Sequence, residues 1–150
     1  MPLSTHEQLR EIESYLHEQI PITLAMEVSL AAYDGASLTL SAPLSVNHNH
    51  LGTAFGGSLS AIATLAGYCM LWLQLPDRTA HVVVRESTLS FKRPVRGDIR
   101  ATCCLPEMGK MGAFLSDFER RGKARIRLEA TIEDRGLPAV EFQGLFVAMR

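Results

Sequence analysis

The sequence predicts an α+β fold in which a curved antiparallel sheet wraps one long buried helix, with an extra helix at the N-terminus. Three observations carry this expectation. Between Asp34 and Asp77 there is no Asp, Glu, Lys or Arg at all, and a gap that long is buried, because exposed surface carries charge every few residues. Within the gap, residues 59–75 are almost continuously apolar. After Pro76 the chain reads as a run of long strands punctuated by turn residues. A helix apolar on nearly every side, followed by strands, asks for a sheet curved around it.

Taken in order, Ser4-x-x-Glu7 is a capping-box pattern, and Leu9, Ile12, Leu16 and Ile20 follow at three- and four-residue steps. They predict an amphipathic helix over about 5–19, stopped by Pro21. Met26, Val28 and Leu30 alternate, then Leu38 and Leu40 do so beyond Asp34-Gly35, which predicts a short hairpin closed by Pro43. Residues 45–57 are loop chemistry leading into the central helix at about 57–73. Strands are expected at 81–91, 98–105, 112–119, 125–133 and 139–148, forming a meander.

A chain of 150 residues, 47% hydrophobic, suits a single domain over 1–150 with a sizeable core. Its 15 Lys+Arg against 16 Asp+Glu leave no basic excess for a phosphate backbone, so nucleic acid is not expected as a partner. The near-neutral total hides an asymmetry. Residues 1–75 hold Arg10 alone against six acids, whereas residues 76–150 hold 14 basic and 10 acidic side chains. Cys69, Cys103 and Cys104 are odd in number and lack C-x-x-C spacing, which points to a reducing compartment. With no basic and apolar leader at the start, a cytoplasmic location is expected. The apolar run is interrupted by Ser60, Thr64, Tyr68 and Gln74 and has no flanking Lys/Arg cluster, so a core helix is expected and no membrane span.

Asn49-x-x-Gly52-x-x-Phe55-Gly56-Gly57 resembles the N-x-x-G-x-x-H-G-G motif of many hotdog acyl-CoA thioesterases, and Phe91-Lys92-Arg93-Pro94-Val95-Arg96-Gly97-Asp98 resembles the F-x-R-P-V-x-x-G/D turn that follows it in them. Asn47-x-Asn49, residues 53–59 and Thr64-Leu65-Ala66-Gly67 are similar to the thioesterase-like domain that some bacteria fuse behind a GNAT acetyltransferase, the YiiD C-terminal type. The resemblance spans roughly residues 20–148. It implies the hotdog fold, an acyl-CoA or acyl-carrier protein as substrate and partner, no cofactor beyond the coenzyme A of the substrate, and a homodimer or dimer of dimers with sites built between subunits. Two positions depart from the family pattern: its histidine is Phe55, and the helix position where many members place an acid is Thr64.

The candidate catalytic residues are Asn49, Gly57, Thr64 and Glu86. Gly56 and Gly57 at a helix N-terminus can offer free N–H groups to a thioester oxygen, or they can simply permit a tight turn. Asn49 can hydrogen-bond the carbonyl or the attacking water, or it can hold the loop. Ser60, Thr64 and Tyr68 share a helix face, where Thr64 either positions a water or bonds back to the carbonyl four residues earlier. Glu86 is the candidate base, placed by alternation with Val82, Val84 and Thr88. The competing reading makes it half of a structural ion pair with an arginine such as Arg85.

Asn47, His50, Thr53, Phe55, Gly56, Ser58 and Tyr68 are the expected substrate contacts, with Arg93 and Arg96 for phosphates. Lys110, Arg120, Arg121, Lys123 and Arg125 cluster at other turns, either as phosphate contacts or as solvated strand ends. His48-x-His50 lacks a third ligand at suitable spacing, so no metal is expected. Cys69 falls on the apolar stripe, where thiols are inert.

The expected reaction is hydrolysis of an acyl thioester. The alternatives are a non-catalytic acyl-thioester binding or regulatory module and, behind it, a 3-hydroxyacyl dehydratase. The dehydratase would need a paired histidine and acid that this helix does not offer.

Overall fold

The computed structural model describes residues 2–150. Helix α1 (Thr5–Gln19) starts at the expected box: the Ser4 hydroxyl accepts from Glu7 N–H at 3.2 Å and the Glu7 carboxylate accepts from Ser4 N–H at 2.7 Å. Its buried stripe is Leu9, Ile12 and Leu16. A single turn, α2 (Ile22–Ala25), leads to β1 (Ser29–Tyr33) and β2 (Ser37–Ala42), paired around Gly35 at φ +91°. That conformation is open to glycine at little cost.

The central helix α3 (Gly56–Gln74) lies within one or two residues of its expected bounds. Ile62, Ala63, Ala66, Cys69, Met70 and Leu71 on it are completely buried. Burying each large apolar side chain there contributes roughly 1.5–3 kcal/mol, whereas an unpaired carboxylate in its place would cost several. Within α3 the lack of charge is therefore a packing requirement, whereas in the loop before it Val46, Leu51 and Phe55 are exposed. α3 is also long and apolar enough to cross a bilayer, but most of it is packed inside the fold.

The helix rests on one sheet of six strands, completed by β3 (His81–Phe91), β4 (Ile99–Cys104), β5 (Lys123–Asp134) and β6 (Leu137–Met149), in the order β1-β2-β4-β5-β6-β3. Its inner face carries Leu38, Leu40, Ile99, Ala101, Ile126, Leu128, Ile132, Val140, Phe142 and Phe146. This is the curved antiparallel sheet around a long helix that the sequence predicts, but not the expected meander: β4 pairs with β2, and β3 lies at the edge beside β6.

One expected strand is absent. Residues 112–119 lie in α4 (Met108–Arg121). Met111, Phe114 and Phe118 bury one side of it at three- and four-residue steps, and Gly122 ends it at φ +70°. The helical period of the apolar residues prevails over the turn residues that suggested a strand.

Candidate active site

The loop before α3 is built around Asn49. Its Oδ1 accepts from Leu51 N–H at 2.8 Å and Thr53 N–H at 3.2 Å, and its Nδ2 donates to Thr53 Oγ1 at 3.0 Å. Gly52, at φ +79°, closes the turn. Most of the amide's hydrogen-bonding capacity is thus committed to the loop, with one Nδ2 hydrogen left over. The loop-holding reading is the one the geometry supports, and Thr53 is its internal partner.

Asn47 is also a structural residue. Buried, it donates from Nδ2 to Met26 O at 2.9 Å and Pro43 O at 2.8 Å, while its backbone carbonyl accepts from Phe55 N–H. Both amide hydrogens are used on the backbone behind the loop, while Oδ1 is buried with no hydrogen-bond partner among the described residues. His50 is exposed at the tip, and His48 Nδ1 lies 2.9 Å from Asn49 O.

These restraints deliver Phe55 as the residue before α3. No side chain caps the helix, so the N–H groups of Gly56, Gly57 and Ser58 are free of intrahelical partners. The half-exposed Phe55 ring sits over Gly57, and a β-carbon there would meet it at 2.4 Å. Gly57, Ala61, Thr64 and Tyr68 recur at steps of four, three and four, so they share one helix face. Below Gly57 that face lines a cleft of about 430 Å³ with Ile20, Ile22, Thr23, Leu65, Val82, Val83, Val84 and Phe146. The lining is apolar except for Thr23, Thr64 and Tyr68.

Thr64 Oγ1 donates its hydrogen to Ser60 O at 2.8 Å, the back-bonded arrangement, which leaves lone pairs available to accept from a water. Burial pushes the Tyr68 hydroxyl well above its ordinary pKa, with Tyr15 adding to the effect, so it stays protonated. Among the described residues that line the cleft there is no carboxylate and no imidazole.

Glu86 stands elsewhere. β3 pairs with β6 as Val82↔Ala148 and Val84↔Phe146, then as Glu86↔Leu145 and Thr88↔Gln143, leaving Arg85 over as a bulge. Cross-strand partners share a face, so Val82 and Val84 face α3 while Glu86 and Thr88 lie on the outer side. One inserted residue breaks the expected alternation. Glu86 therefore does not share the face of Val82 and Val84 that the alternation gave it. Nor does it, among the described residues, have a cation within 4.0 Å for the ion-pair reading.

The two preferred phosphate contacts are engaged with a turn. Arg96 donates its backbone N–H to Asp134 Oδ1 at 2.8 Å with Nη1 3.8 Å from Oδ2, and Arg93 Nε donates to Pro138 O at 3.2 Å. Neither lines the cleft. The two buried thiols are not reactive groups of the site: burial raises Cys69, and it raises Cys103 to about 12. No group of three or more metal-ligating side chains occurs among the described residues.

Residues 9–150 match the family described as "Putative thioesterase (yiiD_Cterm)". The chain belongs to that family. A protein of unknown function from Chlorobaculum tepidum is 33% identical with a TM-score of 0.92, over 99% of this chain and 98% of that one. A "putative thioesterase" from Shewanella oneidensis is 27% identical, TM-score 0.89, over 97% and 100%. A "probable thioesterase" from Pseudomonas aeruginosa is 27% identical, TM-score 0.80, over 99% and 97%.

The fold of this thioesterase-family chain is the hotdog fold. What its sequence did not disclose is the rest of the cleft wall: Ala61 and Leu65 beside Thr64, the Val82-Val83-Val84 run, and Ile20, Ile22 and Thr23 from the α1–α2 junction. The valine run was a usable signal. The junction was not, because its approach to α3 is a tertiary event.

Proposed function

We propose that this protein hydrolyses acyl thioesters of coenzyme A or of an acyl-carrier protein to the free acid and the thiol. The acyl chain lies in the cleft along α3 and the thioester oxygen sits on the free N–H groups of Gly56 and Gly57. There the helix dipole and the backbone donors stabilise the charge that develops when water adds to the carbonyl. Thr64 Oγ1 of a second copy accepts a hydrogen from that water, since within one chain Thr64 stands about 10 Å down the helix from Gly57. Collapse of the adduct breaks the C–S bond, and the proton lost by the water ends on the departing thiolate.

The observation that carries this reading is the alignment of Gly57 with Ala61, Thr64 and Tyr68. It sets uncapped donors at the head of an apolar cleft, with Thr64 about 10 Å along the helix axis from Gly57 at 1.5 Å per residue. The cleft opens beside β3, an edge strand of 11 residues with Val83 48% and Phe91 55% exposed. A long apolar edge needs covering, and we read the cover as the same edge of a second copy, giving a homodimer.

Titrating the thiol released from acyl-CoAs of several chain lengths tests the reading, and release above the uncatalysed rate supports it. The absence of an acid or imidazole in the cleft favours one other reading, a module that binds acyl thioesters without turnover. Tight acyl-CoA binding with no thiol release would establish that reading in its place.

A further inference from the structure

We infer that the outer face of the sheet carries a phosphate-binding site built from Arg85, Arg121, Lys123 and Arg125, for a ligand bearing two or more phosphate groups. These four cations line one concavity of about 560 Å³ together with Asp117, Ala124 and Val147. It is bounded by the C-terminal end of α4, the start of β5 and the bulge in β3. Among the described residues none of the four is within 4.0 Å of a carboxylate, and none makes a side-chain hydrogen bond. The one acid in the concavity, Asp117, is held by Arg120 at 2.9 Å.

Four unpaired cations sharing a concavity repel one another, and side chains this long would ordinarily be directed apart or interleaved with acids. Here the backbone holds them together. Lys123 and Arg125 are alternate residues of β5 and so point the same way. Arg85 is the extra residue of the bulge, skipped in the β3–β6 register, and bulges re-aim side chains in this manner. An anion with several oxygens fits such a cluster, because guanidinium groups bind phosphate through paired N–H donors.

The geometry also ties the concavity to the cleft. Val82, Val83 and Val84 wall the cleft and the next residue, Arg85, lines the concavity. On the thioester reading above, the ligand is the nucleotide end of coenzyme A, whose phosphates would dock here while the acyl chain occupies the cleft. A single concavity suits clustered phosphates better than the dispersed carboxylates of an acidic protein.

Isothermal titration of the purified protein with adenosine 3′,5′-bisphosphate and with inorganic pyrophosphate tests the site without any substrate turning over. The expectation is saturable binding that weakens from about 50 to about 200 mM NaCl. Neutralising one cation should weaken it about tenfold, so the Lys123→Gln/Arg125→Gln pair should bind about 100-fold more weakly. Arg100→Gln, on β4 in a different concavity, should change affinity less than twofold. Absence of binding at millimolar ligand, or equal affinity in the paired variant, overturns the inference. So does a paired variant that no longer binds an acidic carrier protein while retaining the bisphosphate. A protein that binds the bisphosphate but releases no thiol keeps the site and rejects the hydrolase reading, and one that releases thiol without binding the bisphosphate does the reverse.

Discussion

The ring of Phe146 on β6 lies against the backbone of Gly67 on α3, so close that a β-carbon on Gly67 would stand 2.5 Å from its Cζ. Gly144, two residues before Phe146, makes the matching allowance on the sheet, where a β-carbon would fall 2.8 Å from the same ring. The helix therefore approaches the sheet through two missing side chains. Phe146 fills the space between them and also forms part of the cleft wall.

Gly67→Ala should destabilise the fold despite improving helix propensity. Alanine in place of glycine adds about 1 kcal/mol of helix stability, while overpacking a core costs about 1–3 kcal/mol. Phe146 is completely buried and hemmed in from both sides, which places this case near the upper end. Urea denaturation should report a net loss of about 2 kcal/mol, and an unchanged or higher midpoint would contradict the close approach.

Glu86→Gln should leave turnover within about twofold, because the bulge at Arg85 sets this carboxylate on the opposite side of the sheet from Thr64. Steady-state kinetics on an acyl-CoA substrate checks this. A loss of tenfold or more would mean that Glu86 reaches the reacting atoms after all.

Thr64→Val removes the hydroxyl at nearly constant shape. If Thr64 Oγ1 accepts from the attacking water, kcat should fall about tenfold with KM changed far less, and Thr64→Ser should recover most of it. A valine variant with parental kcat would reduce Thr64 to the back-bond with Ser60.

Acid should weaken the fold through its turn and cap carboxylates. N–H donation from Ala36 and Ser37 holds Asp34 below its ordinary range, hydrogen bonds from Thr79 do the same for Asp77, and those from Ser4 for Glu7. A folded-state pKa below the unfolded one gives stability that is present at neutral pH and lost as pH falls through the folded value. The denaturation midpoint should hold down to about pH 5 and fall below about pH 4. In Asp34→Asn that fall should be shallower, and an identical slope would mean that Asp34 has no part in it.

What the sequence disclosed and what it withheld divide along physical lines. The Ser4 box, the Asp34-Gly35 hairpin and the bounds of α3 rest on local chemistry, so a few neighbouring residues state them. Helix α4 was hidden because Gly109 and Gly112 dilute its helical signal, and its buried stripe is only Met111, Phe114 and Phe118. The face of Glu86 depends on a bulge that pairing with β6 creates. Arg96 is committed to Asp134, 38 residues away, and Asn47 to Met26, 21 residues away. No local pattern carries such partnerships.

The central claim is that the N–H of Gly57 stabilises the oxyanion of the thioester adduct, and the direct measurement compares kcat of Gly57→Pro with kcat of Gly57→Ala on one acyl-CoA substrate. Both variants place a β-carbon against the Phe55 ring, and proline is tolerated in a helix's first turn, so they differ chiefly in the N–H. The proline variant should be slower than the alanine variant by roughly 100-fold, the typical effect of deleting one such donor. Equal rates in the two folded variants would contradict the claim.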